Sequence, residues 1–388
     1  MENWFEDGQS PRLPISILTG FLGSGKTTVL NHLVRQADMR RTLILINEFG
    51  EIGLDHDLMV HSSDDDVVVE MSSGCLCCSI RGDLVRTLRQ APGRFARGGV
   101  RWFDQVIIET TGLADPAPIL HTLMTDRRIA QLYRLENVIT TIDAVNADAT
   151  LDDQMEAVKQ AAMADQLVIT KTDLADPDAV QHLQTRLKAL NPAAPQTQAH
   201  NGAVDADVLF GNDLYDPKTK TTDVEAWLNA EAYQTAHDDH DHDHGHQTHS
   251  HSHSHHDDDH EHHHDVNRHD AHIKALCLTI DEPIYSEALE HWLKALLMFR
   301  GKDLLRIKGI INVAEFDGPV VVHGVQHIFH PATKLDKWPS DDHRTRIVFI
   351  TRDVDEASLR RTLDKLQTAV AQDKEAKARP KVNAPSGG

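Results

Sequence analysis

The sequence is poor in cysteine and in aromatic residues, and it lacks any long apolar run. Only four of its 388 residues are cysteine, and three of these are Cys75, Cys77 and Cys78. Cysteines grouped in this way do not form a disulfide framework and are typical of a reducing compartment. No apolar run approaches bilayer length, and the acidic start of the chain is not a basic-then-apolar leader. We therefore expect a cytoplasmic protein without a membrane anchor.

Positive charge is also scarce. Lysine and arginine number 39 against 60 aspartates and glutamates, which gives a formal net charge of −21. Such an acidic surface argues against nucleic acid and anionic membranes as partners, and it suits divalent metal ions. The length is sufficient for two domains, each with its own core.

The strongest chemical signal is the run from Gly20 to Thr28, which reads GFLGSGKTT. It fits G-x-x-x-x-G-K-[ST], the phosphate-binding loop, and it stands between a predicted strand and a predicted helix. Main-chain N–H groups and the positive end of the helix surround an anion in such a loop. The predicted nucleotide-binding residues are Gly20, Gly23, Ser24, Gly25, Lys26, Thr27 and Thr28. Lys26 would reach the β- and γ-phosphates, and the Thr27 hydroxyl would hold Mg²⁺.

Strand-like runs alternate with amphipathic stretches from Leu13 to about Ala199. The predicted strands are Ile15–Thr19, Thr42–Asn47, Val67–Met71, Val106–Glu109, Val138–Asp143 and Leu167–Thr170. The predicted helices include Asp83–Gln90, Ile119–Thr125, Met155–Ala164 and Ala179–Leu190. This alternation predicts an α/β fold, a P-loop NTPase with a mostly parallel sheet covered by helices. Its ligands should gather at the carboxyl ends of the strands.

Two further motifs follow predicted strands. Glu109 ends one strand and could hold the Mg²⁺ shell, while the Gly112 N–H could contact a γ-phosphate. In the second motif, Thr170-Lys171-Thr172-Asp173, the Asp173 carboxylate would accept from guanine N1–H and its exocyclic amine. The Lys171 stem can lie along the base. Thr170 stands where GTPases usually carry Asn, so an amide that helps to bind the base and pin the loop is lost.

A second candidate site is the cysteine cluster. Thiolates as close as Cys75, Cys77 and Cys78 can meet one soft cation, and Zn²⁺ accepts tetrahedral sulfur ligands without redox chemistry. Glu48 and Glu51 follow the second strand. They either complete a metal shell, act on water, or belong to a solvated acidic loop.

The composition predicts five segments. These are a flexible N-terminus (1–12), a P-loop GTPase domain (13–230), a His-rich disordered linker (231–272), a smaller C-terminal α+β domain (273–372) and a flexible tail (373–388). In the last domain the predicted elements are strands Ile273–Ile280, Leu304–Val313, Val320–Phe329 and Arg346–Thr351, and helices Ser286–Phe299 and Leu359–Val370. The His tract is either a loose reservoir of divalent ions or a solvated spacer.

Together these motifs resemble the CobW-like GTPases. The resemblance rests on GFLGSGKTT, NEFGEIGLD, GCLCCSI, ETTGLADP, TIDAV and TKTD, and in the C-terminal half on FRGKDLLRIKGI and VVVHGVQHIF. It implies a GTP-hydrolysing metallochaperone with a CobW-type C-terminal domain, in which Lys26, Thr27, Glu109 and Gly112 act on GTP. Metal would bind at the C-x-C-C motif. The family also carries TKTD in place of the usual motif, and it divides by metal and client.

The resemblance implies GTP, Mg²⁺ and most often Zn²⁺ as ligands. Co²⁺ remains open, as in cobalt chaperones for cobalamin synthesis or activators of nitrile hydratase type. A client metalloprotein is implied but not named, and a homo-oligomer is left open. Two rival functions belong to other classes: a passive His-rich metal store, and a phosphotransferase or ATP-dependent enzyme on the same fold.

Overall fold

The computed structural model of the protein describes residues 12–46, 67–70, 77–210 and 272–378, apart from His327, His330 and Pro331. In the first half the strands are β1 (Leu13–Gly20), β2 (Thr42–Ile46), β3 (Val67–Glu70), β4 (Ala96–Arg97), β5 (Val100–Arg101), β6 (Gln105–Glu109), β7 (Tyr133–Asp143), β8 (Gln166–Thr170) and β9 (Gln196–Ala199). Seven of them form one sheet in the order β3-β2-β6-β1-β7-β8-β9, and each neighbouring pair is parallel. The strands β4 and β5 form a separate antiparallel pair.

Helices cover both faces of this sheet. They are α1 (Lys26–Leu33), α2 (Cys77–Arg94), α3 (Ala117–Thr125), α4 (Arg127–Leu132), α5 (Ala147–Asp153), α6 (Met155–Met163), α7 (Pro177–Leu190) and α8 (Ala206–Phe210). Strand β6 shows why both faces are apolar. Val106 and Ile108 pack on one face in a cluster with α2 and α3, whereas Ile107 packs on the other with α1 and α8. Side chains alternate between faces along a strand, so a strand buried on both sides is a continuous apolar run. The predicted α/β fold is confirmed.

The predicted elements differ from the observed ones mainly where the pattern is short or polar. Strand β9 was missed because its sequence, Gln-Thr-Gln-Ala, lies at the sheet edge and has no apolar run. Helix α4 was missed because only Ile129 is buried along its six residues; an Asp126 N-cap, accepting from two main-chain N–H groups, starts it. Short helices α5 and α8 were missed because each has only two buried residues, too few to show a helical period. Helix α2 is longer than Asp83–Gln90 at both ends, and β7 begins earlier than Val138.

A second, antiparallel sheet follows in the C-terminal half. Its elements are β10 (Ile273–Ile280), α9 (Ser286–Arg300), β11 (Leu304–Ile311), β12 (Val320–Val325), β13 (Ile328–Phe329), β14 (Thr333–Lys334), β15 (Thr345–Arg352) and α10 (Glu356–Ala378). The strand order is β10-β15-β11-β12-β13, and β14 pairs with β12. In β15, Ile347 and Phe349 pack with the α9 and α10 cluster, where Trp292 is fully buried. Val348 and Ile350 face the other way.

That other face packs against the first half of the chain. Val348, Ile350 and Cys277 share one core cluster with residues of α5, α6 and α7. At the same boundary Asp165, which precedes β8, bonds Arg306 and Lys308 of β11. The two sheets are therefore joined by apolar packing and by a buried cluster of charges.

Two predictions for the C-terminal half are corrected. The strand predicted over Val320–Phe329 is a hairpin, because the chain turns at Gln326 with φ of 52°. Helix α10 continues to Ala378, past the predicted end at Val370 and into the expected tail, since its last turns are charged and carry no apolar signal. The predicted linker, apart from His272, lies outside the described residues. Among the described residues, no helix is long and apolar enough to span a bilayer.

Candidate nucleotide and metal site

The phosphate-loop motif lies between β1 and α1, as predicted. Gly20 has a φ of 145°, and a Cβ at this position would lie 2.3 Å from Thr141 Oγ1, so only glycine fits against β7. The Ser24 and Thr141 hydroxyls share a hydrogen bond of 2.6 Å. Lys26 Nζ donates to the carbonyls of Gly20 at 3.0 Å and Phe21 at 3.2 Å, so its ammonium group lies over the loop.

Glu109 is brought directly to the start of α1. It ends β6, pairs in register with Leu18 of β1, and is only 5% exposed. The Thr27 hydroxyl donates to Glu109 Oε1 at 3.0 Å. A carboxylate and a hydroxyl so placed offer the hard oxygen ligands that Mg²⁺ prefers beside nucleotide phosphates.

The segment after Glu109 lies against the phosphate loop. A Cβ on Gly112 would be 2.6 Å from the Leu22 nitrogen, so this glycine permits a close approach of two main chains. The fully buried Gln160 of α6 donates from Nε2 to the Ala114 carbonyl at 3.0 Å and to the Gly112 carbonyl at 3.4 Å. Gln160 was not predicted. Helical periodicity placed it in a helix but could not indicate a contact 46 residues away.

The base-recognition motif begins at the end of β8. The Thr170 hydroxyl donates to the Ser24 carbonyl at 2.8 Å and to the Ile142 carbonyl at 3.2 Å. Threonine therefore ties the motif to the phosphate loop through its hydroxyl group, and the effect of the missing asparagine amide on base binding stays a prediction. Lys171 has a left-handed backbone with φ of 57°, and Asp173 is exposed.

Asp143, at the end of β7, is a further residue of this edge that sequence reasoning did not assign a role. Its carboxylate accepts from Lys171 Nζ at 2.8 Å. Burial tends to raise the pKa of Asp143, but hydrogen bonds from Lys171, Asn146 and the Val145 amide outweigh it and lower that pKa. Asp143 therefore favours its ionised form and holds the side chain of Lys171, the second residue of the base-recognition motif.

A small cavity of about 150 Å³ adjoins the phosphate loop. Its polar lining includes Ser24, Thr141, Asp143, Asn146 and Gln160. The cavity lies between the phosphate loop, the end of β7 and α6, which is the helix that holds the Gly112 loop.

The predicted zinc ligands are only partly covered by the described residues. Cys77 and Cys78 begin α2, whereas Cys75, Glu48 and Glu51 lie outside the described residues. Ile46, the last residue of β2, pairs with Glu109 on one side and with Glu70 of β3 on the other. The chain therefore leaves β2 and β3 at the edge where Glu109 stands. Within the described residues, no group of three or more His, Cys, Asp or Glu side chains is arranged to hold a metal ion.

These features define a P-loop NTPase with a second antiparallel domain, and comparisons with known proteins identify its family. The model "CobW/HypB/UreG, nucleotide-binding domain" matches residues 14–198, and "Cobalamin synthesis protein cobW C-terminal domain" matches residues 273–367. The chain is 31% identical over 396 residues to the zinc chaperone CobW of Pseudomonas aeruginosa PAO1, covering 93% of this chain and 92% of the relative. The chain belongs to the CobW family of P-loop GTPases.

Two further comparisons cover nearly the whole chain. The zinc chaperone YjiA of Escherichia coli K12 is 26% identical over 349 residues, which span 90% of this chain and 96% of the relative. The crystal structure of Zn(II)-bound YjiA GTPase from E. coli has a TM-score of 0.62 at 25% identity, covering 92% of this chain and 99% of the other. Both halves of the fold therefore have a counterpart in a solved structure.

Proposed function

We propose that this protein is a GTP-hydrolysing metallochaperone that binds zinc at its C-x-C-C motif and passes it to a client metalloprotein. The position of Glu109 carries the proposal. Its carboxylate accepts from the Thr27 hydroxyl at 3.0 Å, and its main chain pairs in register with Ile46, the last residue of β2, which precedes the acidic segment in the sequence. The names of the relatives, zinc chaperones and a GTPase, support both halves of the proposal.

The nucleotide would occupy the edge formed by β1, β6 and β8. Gly20, Gly23, Ser24, Gly25, Lys26, Thr27 and Thr28 would surround the phosphates. Lys171 and Asp173 would recognise guanine, because a carboxylate pairs with two donors on guanine and meets a lone pair on adenine. The Thr170 bond to the Ser24 carbonyl supports this arrangement, since it links the base motif to the phosphate loop.

Thr27 and Glu109 fit a Mg²⁺ ion by the chemistry of their oxygen atoms. When bound, this ion neutralises charge that develops on the phosphates. Lys26 would place a second positive charge near the transferring group, and Gly112 would offer its N–H to the γ-phosphate. Each of these residues acts on a group at the same sheet edge.

Zinc is the cargo in this scheme. Cys75, Cys77 and Cys78 would supply thiolates, with Glu48 or Glu51 nearby in the chain that follows β2. The acidic segment follows β2, which pairs in register with β6 at Glu109, and the cysteine segment follows β3, the next strand beyond β2. This order of strands supports coupling between the two ligands. GTP would favour the zinc-binding arrangement, and hydrolysis would favour release to the client. By linkage, zinc and GTP must then raise each other's affinity by the same factor.

The test is zinc affinity measured with GDP and with a non-hydrolysable GTP analogue, using a chelator to buffer free zinc. We expect tighter binding with the analogue. A matched variant with Ser at all three cysteines should lose this tight site. Equal zinc affinity in the two nucleotide states would refute the mechanism, and displacement of GTP by ATP at similar concentrations would refute the guanine assignment.

A further inference from the structure

The second sheet reaches the loop of residues 112–115 through Gln326. Its side-chain Nε2 donates to Asp115 Oδ2 at 3.3 Å, across the boundary between the two halves of the chain. Lys159 of α6 lies 3.4 Å from the same oxygen. The carboxylate of Asp115, three residues after Gly112, is therefore held by both halves of the chain.

The backbone of Gln326 is unusual for its residue type. Pairing of Val325 with Ile328 leaves a two-residue connection that starts at Gln326, whose φ is 52°. Asn and Gly adopt this conformation readily, whereas a longer side chain costs about 1 kcal/mol. Turn geometry alone thus favours a shorter residue. Gln326 adopts this unfavourable backbone conformation while its side chain bonds Asp115 in the other half of the chain, and this combination suggests a functional role.

The other end of the same loop lies on the phosphate loop. Gly112 is packed against the Leu22 main chain, and Gln160 holds the carbonyls of Gly112 and Ala114. From Gly112 to Asp115 the chain spans at most roughly 11 Å when extended. Since both ends and the middle are held, a shift at one end cannot be absorbed within so short a segment.

We propose that Gln326 is a positioning residue for GTP hydrolysis. Its amide holds Asp115, and Asp115 holds the segment that presents Gly112 to the phosphates, so turnover depends on the C-terminal domain. This inference rests on the proposed GTPase activity. It assigns the C-terminal hairpin a role in the nucleotide site of the other domain.

A reciprocal swap tests the contact in the full-length protein. Gln326→Glu keeps the shape and the backbone cost but replaces the donor with a carboxylate that repels Asp115. Asp115→Asn supplies a donor in its place, and its Oδ1 can still accept from the Ala117 amide, as Asp115 does at 2.9 Å. The matched control is Asp353→Asn, another left-handed residue of the same half (φ 53°), which bonds His272.

We expect Gln326→Glu to lower kcat about fivefold with little change in KM, the effect of losing one hydrogen bond to a charged group that is partly exposed. Asp353→Asn should match the parent. The double variant, Asp115→Asn with Gln326→Glu, should recover kcat above either single variant, because donor and acceptor are exchanged across the contact. A merely structural role predicts a lower urea midpoint for Gln326→Glu with parent-like kcat of the folded protein. Parent-like kcat in Gln326→Glu, or losses that multiply in the double variant, would overturn the proposal.

Hydrogen exchange gives a readout that does not need hydrolysis. Binding of a non-hydrolysable GTP analogue should increase protection of residues 320–326 in the parent and not in Gln326→Glu. If the parent lacked GTPase activity, the proposed function would fail in that respect and the role of Gln326 in turnover with it, whereas this exchange measurement would still decide whether Gln326 couples the hairpin to the bound nucleotide. Identical exchange in the presence and absence of the analogue would overturn it.

Discussion

The buried charge cluster between the two sheets gives a quantitative prediction. The Asp165 side chain is completely buried, and it bonds the guanidinium of Arg306, the ammonium of Lys308 at 3.1 Å and the Val138 amide at 3.0 Å. Burial favours the neutral acid, but the two cations and the amide outweigh it and lower the pKa of Asp165. Replacing Asp165 by Asn leaves two buried cations without this carboxylate.

The expected cost follows from the degree of burial. Arg306 and Lys308 side chains are 2% and 6% exposed, so solvent screens them little. Removing one partner of a buried ionic group costs about 3–5 kcal/mol, whereas replacing the whole group by apolar residues is often neutral or stabilising. We therefore expect Asp165→Asn to lose about 3–5 kcal/mol. The matched comparison is a triple variant that combines Asp165→Leu, Arg306→Met and Lys308→Met, and it should stay near the parent.

The assay is urea unfolding followed by far-UV circular dichroism and by tryptophan fluorescence. Trp292 is buried in the core of the C-terminal half, and Trp102 is buried in the core of the N-terminal half, so tryptophan fluorescence reports on both halves. Asp165→Asn should lower the midpoint by both probes. A loss below about 1 kcal/mol in Asp165→Asn, which is what an exposed pair gives, would refute the reasoning. So would a triple variant less stable than the single one.

Three other predictions follow. Burial, and then the neighbouring Arg306, lower the pKa of Lys308 from 10.5 to about 8. Between pH 8 and 10.5 the unfolded chain therefore binds more protons at Lys308 than the folded chain does, so the free energy of unfolding should rise with pH by up to about 3 kcal/mol. Urea unfolding across this pH window should show the rise in the parent and not in Lys308→Met. Thr170→Val should weaken GTP binding about fivefold by calorimetry, because the phosphate-loop carbonyl loses its donor; unchanged affinity would contradict this role. Zinc at stoichiometric concentration should raise GTP turnover modestly, and Ser at Cys75, Cys77 and Cys78 should abolish the rise without weakening GTP binding; an equal response in both proteins would place the tight site elsewhere.

Most of the sheet could be predicted because its central strands are apolar on both faces. The phosphate loop was predictable because its spacing expresses one physical requirement, main-chain donors around an anion at a helix start. The meeting of Thr27 with Glu109 followed from the parallel sheet, in which strand ends share an edge. What failed was short or polar: β9 has no apolar run, and the hairpin at Gln326 interrupts a run rich in valine, isoleucine and phenylalanine that resembles one strand.

Long-range polar contacts were the other gap. Arg306 and Lys308 stand two apart in an apolar strand and so share a face, which could have indicated a buried charged partner. The identity of that partner, Asp165, depends on how two domains dock and leaves no spacing in the sequence. Gln160 and Gln326 belong to the same category, since each is defined by the loop that it contacts rather than by its neighbours in the chain.

The order of strands explains how two chemically different ligands can depend on each other in the proposed function. Glu109 ends β6, and β2 and β3 are the next two strands in the sheet, each ending in register with its neighbour. Adjacent strands are about 4.8 Å apart, so the main chain at the end of β3 lies roughly 10 Å from the main chain of Glu109. The acidic segment with Glu48 and Glu51 follows β2 in the sequence, and the cysteine segment follows β3 and runs into the start of α2. In the proposed function, a change in nucleotide state would therefore act on segments that start at adjacent strand ends, and by linkage zinc would act equally on GTP. The C-terminal domain would join the same network through Asp115, at the far end of the segment that begins at Gly112.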